Sequence, residues 1–304
     1  MGGPNPEGSI MNDKTYAKID PFESVTSAIL EALDRGVIPW KMPWDKIAGG
    51  MPCNLSTGNN YQGSNIWVLI SRGYSSKYWL TFKQARTLKG AVKKGEKGTR
   101  IIIFKPVPAK TDAAGDVTTN GFGYFSTAVV FNFEQCKGLN DPAPAVIGPI
   151  KPFEALDKAD KLAAGYIGAP VVTYGGNRAC YAPGLDTINM PKKTSFHSAG
   201  GFYASLFHEY THSTGHAKRL DRPEITGAVS FGSGDYSREE LVAEMGSAFL
   251  CAEAGIDNTL ENSASYIASW RRKLQDPSNK KWVLEAGGKA KLAVEYIKGN
   301  LKKS

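Results

Sequence analysis

Leu206-Phe207-His208-Glu209-Tyr210-Thr211-His212 contains the pattern H-E-x-x-H. On a helix, residues four apart share one face, so His208 and His212 can both turn an imidazole toward one cation. Glu209 then lies beside that ion, placed to take a proton from water as a general base. The chain has 4 histidines, His197, His208, His212 and His216, all inside one short stretch. Histidines used only for packing would be scattered. The five-residue pattern also arises by chance, so its surroundings must decide.

A protein zinc site of the catalytic kind takes three side chains and leaves a position open. Downstream, Leu241, Met245, Ala248 and Phe249 recur at helical spacing. On that predicted helix Glu240 and Glu244 lie one turn apart, an unfavourable pairing for two free carboxylates unless a cation or hydrogen bonds hold them. Glu240 is the leading third ligand, and Glu244 would hydrogen-bond a histidine ligand and orient it. The reverse assignment stays open, as does a pair of solvated surface glutamates. His216 is a weaker candidate, because the third histidine of metzincins comes two residues later. Two imidazoles and a carboxylate suit Zn²⁺, and Mn²⁺, Co²⁺ and Ni²⁺ also fit. Tyr236 and Tyr266 are candidates to stabilise an oxyanion.

The 304 residues are enough for about two domains. With 41% hydrophobic and 22% charged residues the composition is that of an ordinary soluble protein, and no apolar run is long enough to span a membrane. Cys53, Cys136, Cys180 and Cys251 show no C-x-x-C spacing and fit reduced thiols in a cytoplasm. Residues 1–12 read as a disordered leader without signal-peptide character.

The net charge of +8 is unevenly spread. Between Arg72 and Lys110, eleven basic residues face one acid, Glu96, so that segment carries +10. Aromatic residues are interleaved with it. Bases of a single strand expose faces that stack on such rings while Lys and Arg follow the phosphates. Lys83, Arg86, Lys89, Lys93, Lys94, Lys97 and Arg100, with Trp40, Trp44 and Trp79, are the expected DNA contacts. Single strands are favoured over duplex because no helix-turn-helix or zinc-finger pattern occurs.

The expected fold class is α+β in two domains: an N-terminal mixed α/β single-stranded-DNA-binding domain over 13–140 and a C-terminal domain over 153–304, joined by a Pro/Ala/Gly linker at 141–152. In the first, helices are expected over Pro21–Leu33, Ile66–Ser71 and Phe82–Lys89, the last capped by Thr81. Pro39 to Trp44 reads as extended, and strands 100–104 and 124–132 should pair. In the second, Val171–Tyr174 and Ala179–Tyr181 flank Gly175-Gly176-Asn177, a hairpin signal. Asp186–Met190 reads as an edge strand beside helix Ser198–Thr214, and a Gly-rich loop leads to the Glu240 helix. Strand pair, edge strand, H-E-x-x-H helix and carboxylate helix, in that order, is the arrangement a zincin needs.

Several motifs together resemble the ArdC antirestriction proteins of conjugative plasmids, which are also similar to the N-terminal region of plasmid TraC primases. They are Ile38-Pro39-Trp40…Pro43-Trp44, Tyr61-Gln62-Gly63-Ser64-Asn65, Trp79-Leu80-Thr81-Phe82-Lys83-Gln84-Ala85, Gly95-Glu96-Lys97-Gly98, Tyr181-Ala182-Pro183…Asp186-Thr187-Ile188…Met190-Pro191, His208 to His216, and Glu239-Glu240-Leu241-Val242-Ala243-Glu244. The resemblance implies a single-stranded-DNA-binding domain, a C-terminal zincin-like metallopeptidase domain and protection of incoming plasmid DNA from host restriction. Carried over by motif, the ligands are His208, His212 and Glu240, with Glu209 as base. The implied setting is the cytoplasm, including that of a recipient cell entered with conjugative DNA. Other readings stand beside it: a metalloprotease cutting DNA-associated proteins such as host restriction enzyme subunits, or a strand-coating protein whose metal site is structural.

Overall fold

The computed structural model describes residues 20–41, 48–108, 110–111, 117–119, 122–140, 142, 152–227, 234–256 and 264–301. The expected leader, most of the linker and Trp44 lie outside them. Asp20 caps the first helix, α1 (Pro21–Asp34), by accepting from Phe22 N at 2.9 Å, with proline in the first turn where its missing N–H costs nothing. β1 (Ala48–Asn54), α2 (Ser64–Ile70), β2 (Ser76–Leu80) and α3 (Phe82–Thr87) follow. Thr81 and Gln84 form the capping box at the start of α3. Next come β3 (Ala91–Val92), β4 (Thr99–Val107), β5 (Lys110–Thr111), β6 (Val117–Thr119), β7 (Phe122–Asn132) and β8 (Cys136–Lys137). β4 and β7 pair antiparallel from Thr99↔Val130 to Val107↔Phe122. They complete a sheet of order β1-β2-β7-β4, with β1 parallel to β2. Pro39–Lys41, expected to be extended, is a 3₁₀ turn.

The C-terminal half holds α4 (Pro152–Ala164), β9 (Val171–Tyr174), β10 (Cys180–Ala182), β11 (Thr187–Met190), α5 (Ala199–Ser213), α6 (Pro223–Thr226), α7 (Gly234–Ala254), α8 (Ala264–Gln275) and α9 (Trp282–Ile297). The hairpin expected around Gly175-Gly176 does not form. β11 inserts between the two strands, giving the order β10-β11-β9 with β9 and β11 parallel. The Asn189 side chain donates to both Gly175 O and Arg178 O at 3.0 Å, so β11 ties down the turn from within. Asp186–Met190, expected at the edge, therefore supplies the central strand, and β9 and β10 are the edges.

α5 and α7 cross closely. A Cβ on Gly246 would sit 2.5 Å from Thr211 Cγ2, so only glycine permits the approach that brings the start of α7 to the H-E-x-x-H face. One apolar cluster joins the two halves: Ile29 and Leu33 of α1 and Trp67 of α2 share it with Phe207, Leu241, Met245 and Phe249. Trp67 stacks on Phe249 at 4.6 Å between ring centroids, and Trp40 meets Trp270 edge-on at 5.9 Å. At this junction Gly287 of α9 leaves no room for a side chain, since its Cβ would come within 2.6 Å of Ser64 N. Among the described residues no helix is long and apolar enough to cross a membrane.

Candidate metal centre and nucleic-acid interface

Ser198 opens α5 by accepting from Gly201 N at 3.0 Å, and buried Phe202, Leu206 and Phe207 fix the helix on the core. That leaves His208 and His212 facing the first turns of α7. Their Nε2 atoms are 3.1 Å apart, and Glu240 straddles them, with Oε2 3.5 Å from His208 Nε2 and Oε1 3.5 Å from His212 Nε2. Ligand atoms ~2.0–2.1 Å from a tetrahedral ion lie about 3.3 Å from one another, so these separations suit a common cation. His208, His212 and Glu240 form the one cluster of potential metal ligands found among the described residues. His216 is not in it, and its Nδ1 instead accepts from Lys218 N at 3.2 Å.

The carboxylate behind the site is Glu239, not Glu244. Glu239 Oε1 lies 3.2 Å from His212 Nδ1. In the neutral ring, with Nδ1 donating to that carboxylate, the Nε2 lone pair is left for a cation at the shared point. Arg222 Nε and Nη2 donate to Glu239 at 3.0 and 2.5 Å, while Nη1 reaches Thr214 Oγ1 at 2.7 Å. Glu244 meets Tyr266, whose hydroxyl donates to it at 2.6 Å. Tyr266 is thereby engaged at Glu244. Helix geometry explains the exchange: the chain turns about 100° per residue, so Glu239 looks along the flank toward Arg222 while Glu244 lies further along toward α8. Nothing in the local spacing identifies Arg222, which arrives from the start of α6.

Charge is arranged for a cation. Burial opposes a charged His212, yet hydrogen bonds to Glu239 and Glu240, and their charges, raise it to about 10. Burial also works against ionised Glu240, but both histidines hold it well below the usual carboxylate range. Glu209 is buried, and its Oε2 accepts from Tyr181 N of β10 at 2.7 Å. Burial first, then the charge and hydrogen bond of Glu240, push the Tyr236 phenol up to about 12. Tyr236, Arg178 and Cys180 line a cleft of about 730 Å³ together with His208, Glu209, His212 and Glu240. Arg219 pairs with Asp186 and donates to Ser213 O at 2.6 Å, tying the β10–β11 turn to the end of α5.

In the N-terminal half, Lys83, Arg86, Lys89, Lys93, Lys94 and Lys97 are exposed on α3 and the turns after it, with Arg100 half-buried on β4. Trp40 and Trp79, expected to stack on bases, are 1% and 2% exposed and belong to the core. A large apolar ring gains more from burial than from solvent, and counting aromatic residues cannot separate the two fates. Among the described residues of this half, the exposed rings are Phe82, Phe104, Tyr124 and Phe125.

Residues 20–134 match the N-terminal domain of anti-restriction factor ArdC, and residues 157–288 match a zincin-like metallopeptidase family. The metal-free crystal structure of the antirestriction ArdC protein from plasmid R388 is 33% identical, with TM-score 0.70 over 94% of this chain and 100% of that one. Its Mn(II)-bound structure is 34% identical, with TM-score 0.68 over 93% and 98%. The uncharacterized protein y4eC of Sinorhizobium fredii (strain NBRC 101917 / NGR234) is 31% identical over 91% of both chains. Two Escherichia coli proteins named DNA primase TraC are 34% and 36% identical over 87% and 84% of this chain. The chain spans only 19% and 25% of those primases' length. Fold and centre together define an α+β protein with a zincin-like metal-binding domain behind an antirestriction-type N-terminal domain. The chain belongs to the ArdC antirestriction family.

Proposed function

We propose that this protein binds single-stranded DNA through its N-terminal half and protects incoming conjugative DNA from host restriction. We further infer that the C-terminal centre hydrolyses peptide bonds. His208, His212 and Glu240 would hold the divalent cation, with zinc the expected ion and manganese, cobalt or nickel acceptable to the same donors. The observation that carries the hydrolytic reading is the placing of Glu209, buried beside the ligands and fixed by the Tyr181 N–H. A bound cation would supply a Lewis acid that polarises a carbonyl and acidifies water.

The protein's own groups supply the rest. Glu209 commits one oxygen to Tyr181 N and keeps the other to take a proton. Tyr236 lines the cleft with the ligands and Glu209, and on leaving Glu240 its hydroxyl would be placed to donate to an oxyanion.

The test is plasmid protection in a host with an active restriction system, comparing wild type with Glu209→Ala. The variant keeps all three proposed ligands. Loss of protection with DNA binding intact supports hydrolysis, with proteins such as restriction-enzyme subunits as the substrates to examine. Full protection assigns the activity to the DNA-binding half and leaves the centre a structural role. Fluorescence anisotropy on a labelled oligonucleotide tests the other half: wild-type protein should bind single strands with a steep salt dependence and duplex more weakly.

A further inference from the structure

Away from the metal cleft, the β4–β7 hairpin carries rings that a folded monomer normally hides. Phe104 and Phe125 are cross-strand partners, edge-to-face at 5.5 Å, and are 57% and 42% exposed. Phe104 lies over Gly123, where a Cβ would come within 2.1 Å of its Cζ. One side of the ring thus covers glycine backbone and the rest is open. Phe22, early in α1, meets Phe125 edge-on at 5.7 Å, and the Lys281 ammonium lies 5.4 Å from the Phe22 ring centroid.

These three rings border a cavity of about 830 Å³ that runs inward along Ile101 and Ile102 to Asn54, Thr81 and Gln84. That size is within the ~300–1,000 Å³ typical of small-ligand sites. Asn54 and Gln84 hold each other through paired amide hydrogen bonds of 3.2 Å, so the inner polar wall is neutral and fixed. Charge sits elsewhere: Lys281 and Glu285 line the cavity, and α3, whose capping residues Thr81 and Gln84 form its wall, carries exposed Lys83 and Arg86.

We propose that this cavity is a base-binding subsite, in which an unpaired nucleobase of single-stranded DNA stacks on Phe104 and Phe125. The inference rests on the single-strand reading above and gives it a location. Aromatic walls with neutral amides fit a base rather than a phosphate, and the backbone leaving the cavity meets Lys281 and the α3 cations. A duplex keeps its base faces stacked and cannot fill the slot. A second copy of the chain would bring one +10 segment toward another.

The experiment uses the full chain and an oligonucleotide carrying 2-aminopurine, whose emission falls on stacking. Wild type should quench it. Phe104→Ala and Phe125→Ala should each weaken binding about 5- to 100-fold and restore the emission. Phe104→Trp should keep wild-type binding and quenching, and Gly123→Ala, which displaces the Phe104 ring, should restore emission with the basic residues untouched. Circular dichroism confirms that each variant is folded. If wild type binds single strands and the phenylalanine variants bind equally well, the subsite is wrong while the DNA reading stands. If wild type binds no single strand even at low salt, the reading itself falls. If Phe104→Ala only dissolves a dimer seen by light scattering, the rings are an interface between copies and the proposal is overturned.

Discussion

Around His212 polar groups are chained to one another: Glu239 behind the ring, Arg222 behind Glu239, and Thr214 and backbone carbonyls around Arg222. On the N-terminal face, Lys83, Arg86, Lys94 and Lys97 extend into solvent. The first region is a preorganised site whose charges lie in low dielectric, where each partner matters and salt screens little. The second is a field, in which single charges are interchangeable and ionic strength governs the whole. Mutations should therefore act locally and severely in one region, gradually and additively in the other.

The sharpest test of that contrast is Glu239→Ala. The Arg222 and Glu239 side chains are 5% and 3% exposed, so the substitution leaves a buried guanidinium without its carboxylate. It should cost about 3–5 kcal/mol in chemical denaturation. Glu239→Gln should cost less and weaken the centre's metal affinity by about 10- to 100-fold. Glu240→Ala comes next: it should lower zinc or manganese affinity in calorimetry by at least about 100-fold while leaving oligonucleotide binding unchanged. A parallel loss of DNA affinity would break the separation of the two regions. Gly246→Ala forces α5 and α7 apart at Thr211 and should destabilise by about 1–3 kcal/mol in thermal melts. Lys93→Glu with Lys94→Glu should leave the melting temperature nearly unchanged. It should reduce the salt slope of single-strand binding by about 1.4, at ~0.7 per phosphate contact. No change in slope would remove this turn from the interface.

The same contrast explains what the sequence could disclose. His208, Glu209 and His212 are legible because helical spacing alone places them together, and Glu240 because apolar residues at helical spacing set its helix. Glu239 was out of reach of local spacing, since its task depends on Arg222 arriving from another element. Helix α1, the β4–β7 pairing and the Thr81 cap follow from periodicity and capping chemistry. Trp40 and Trp79 mislead because composition does not say which rings the core will claim. The Gly175-Gly176 turn misleads for a related reason: Asn189, distant in sequence, lays a third strand between the two it was expected to join. Nor does the Pro/Ala/Gly segment after residue 140 announce that α1 and α2 share one apolar cluster with α7.

Anomalous diffraction from crystals grown with zinc, and again with manganese, tests the centre most directly. One strong peak should lie within bonding distance of His208 Nε2, His212 Nε2 and a Glu240 oxygen, with Glu239 hydrogen-bonded to His212 Nδ1 and outside the coordination sphere. A peak on Glu244 or His216, or none beside His208 and His212 at saturating metal, would contradict it.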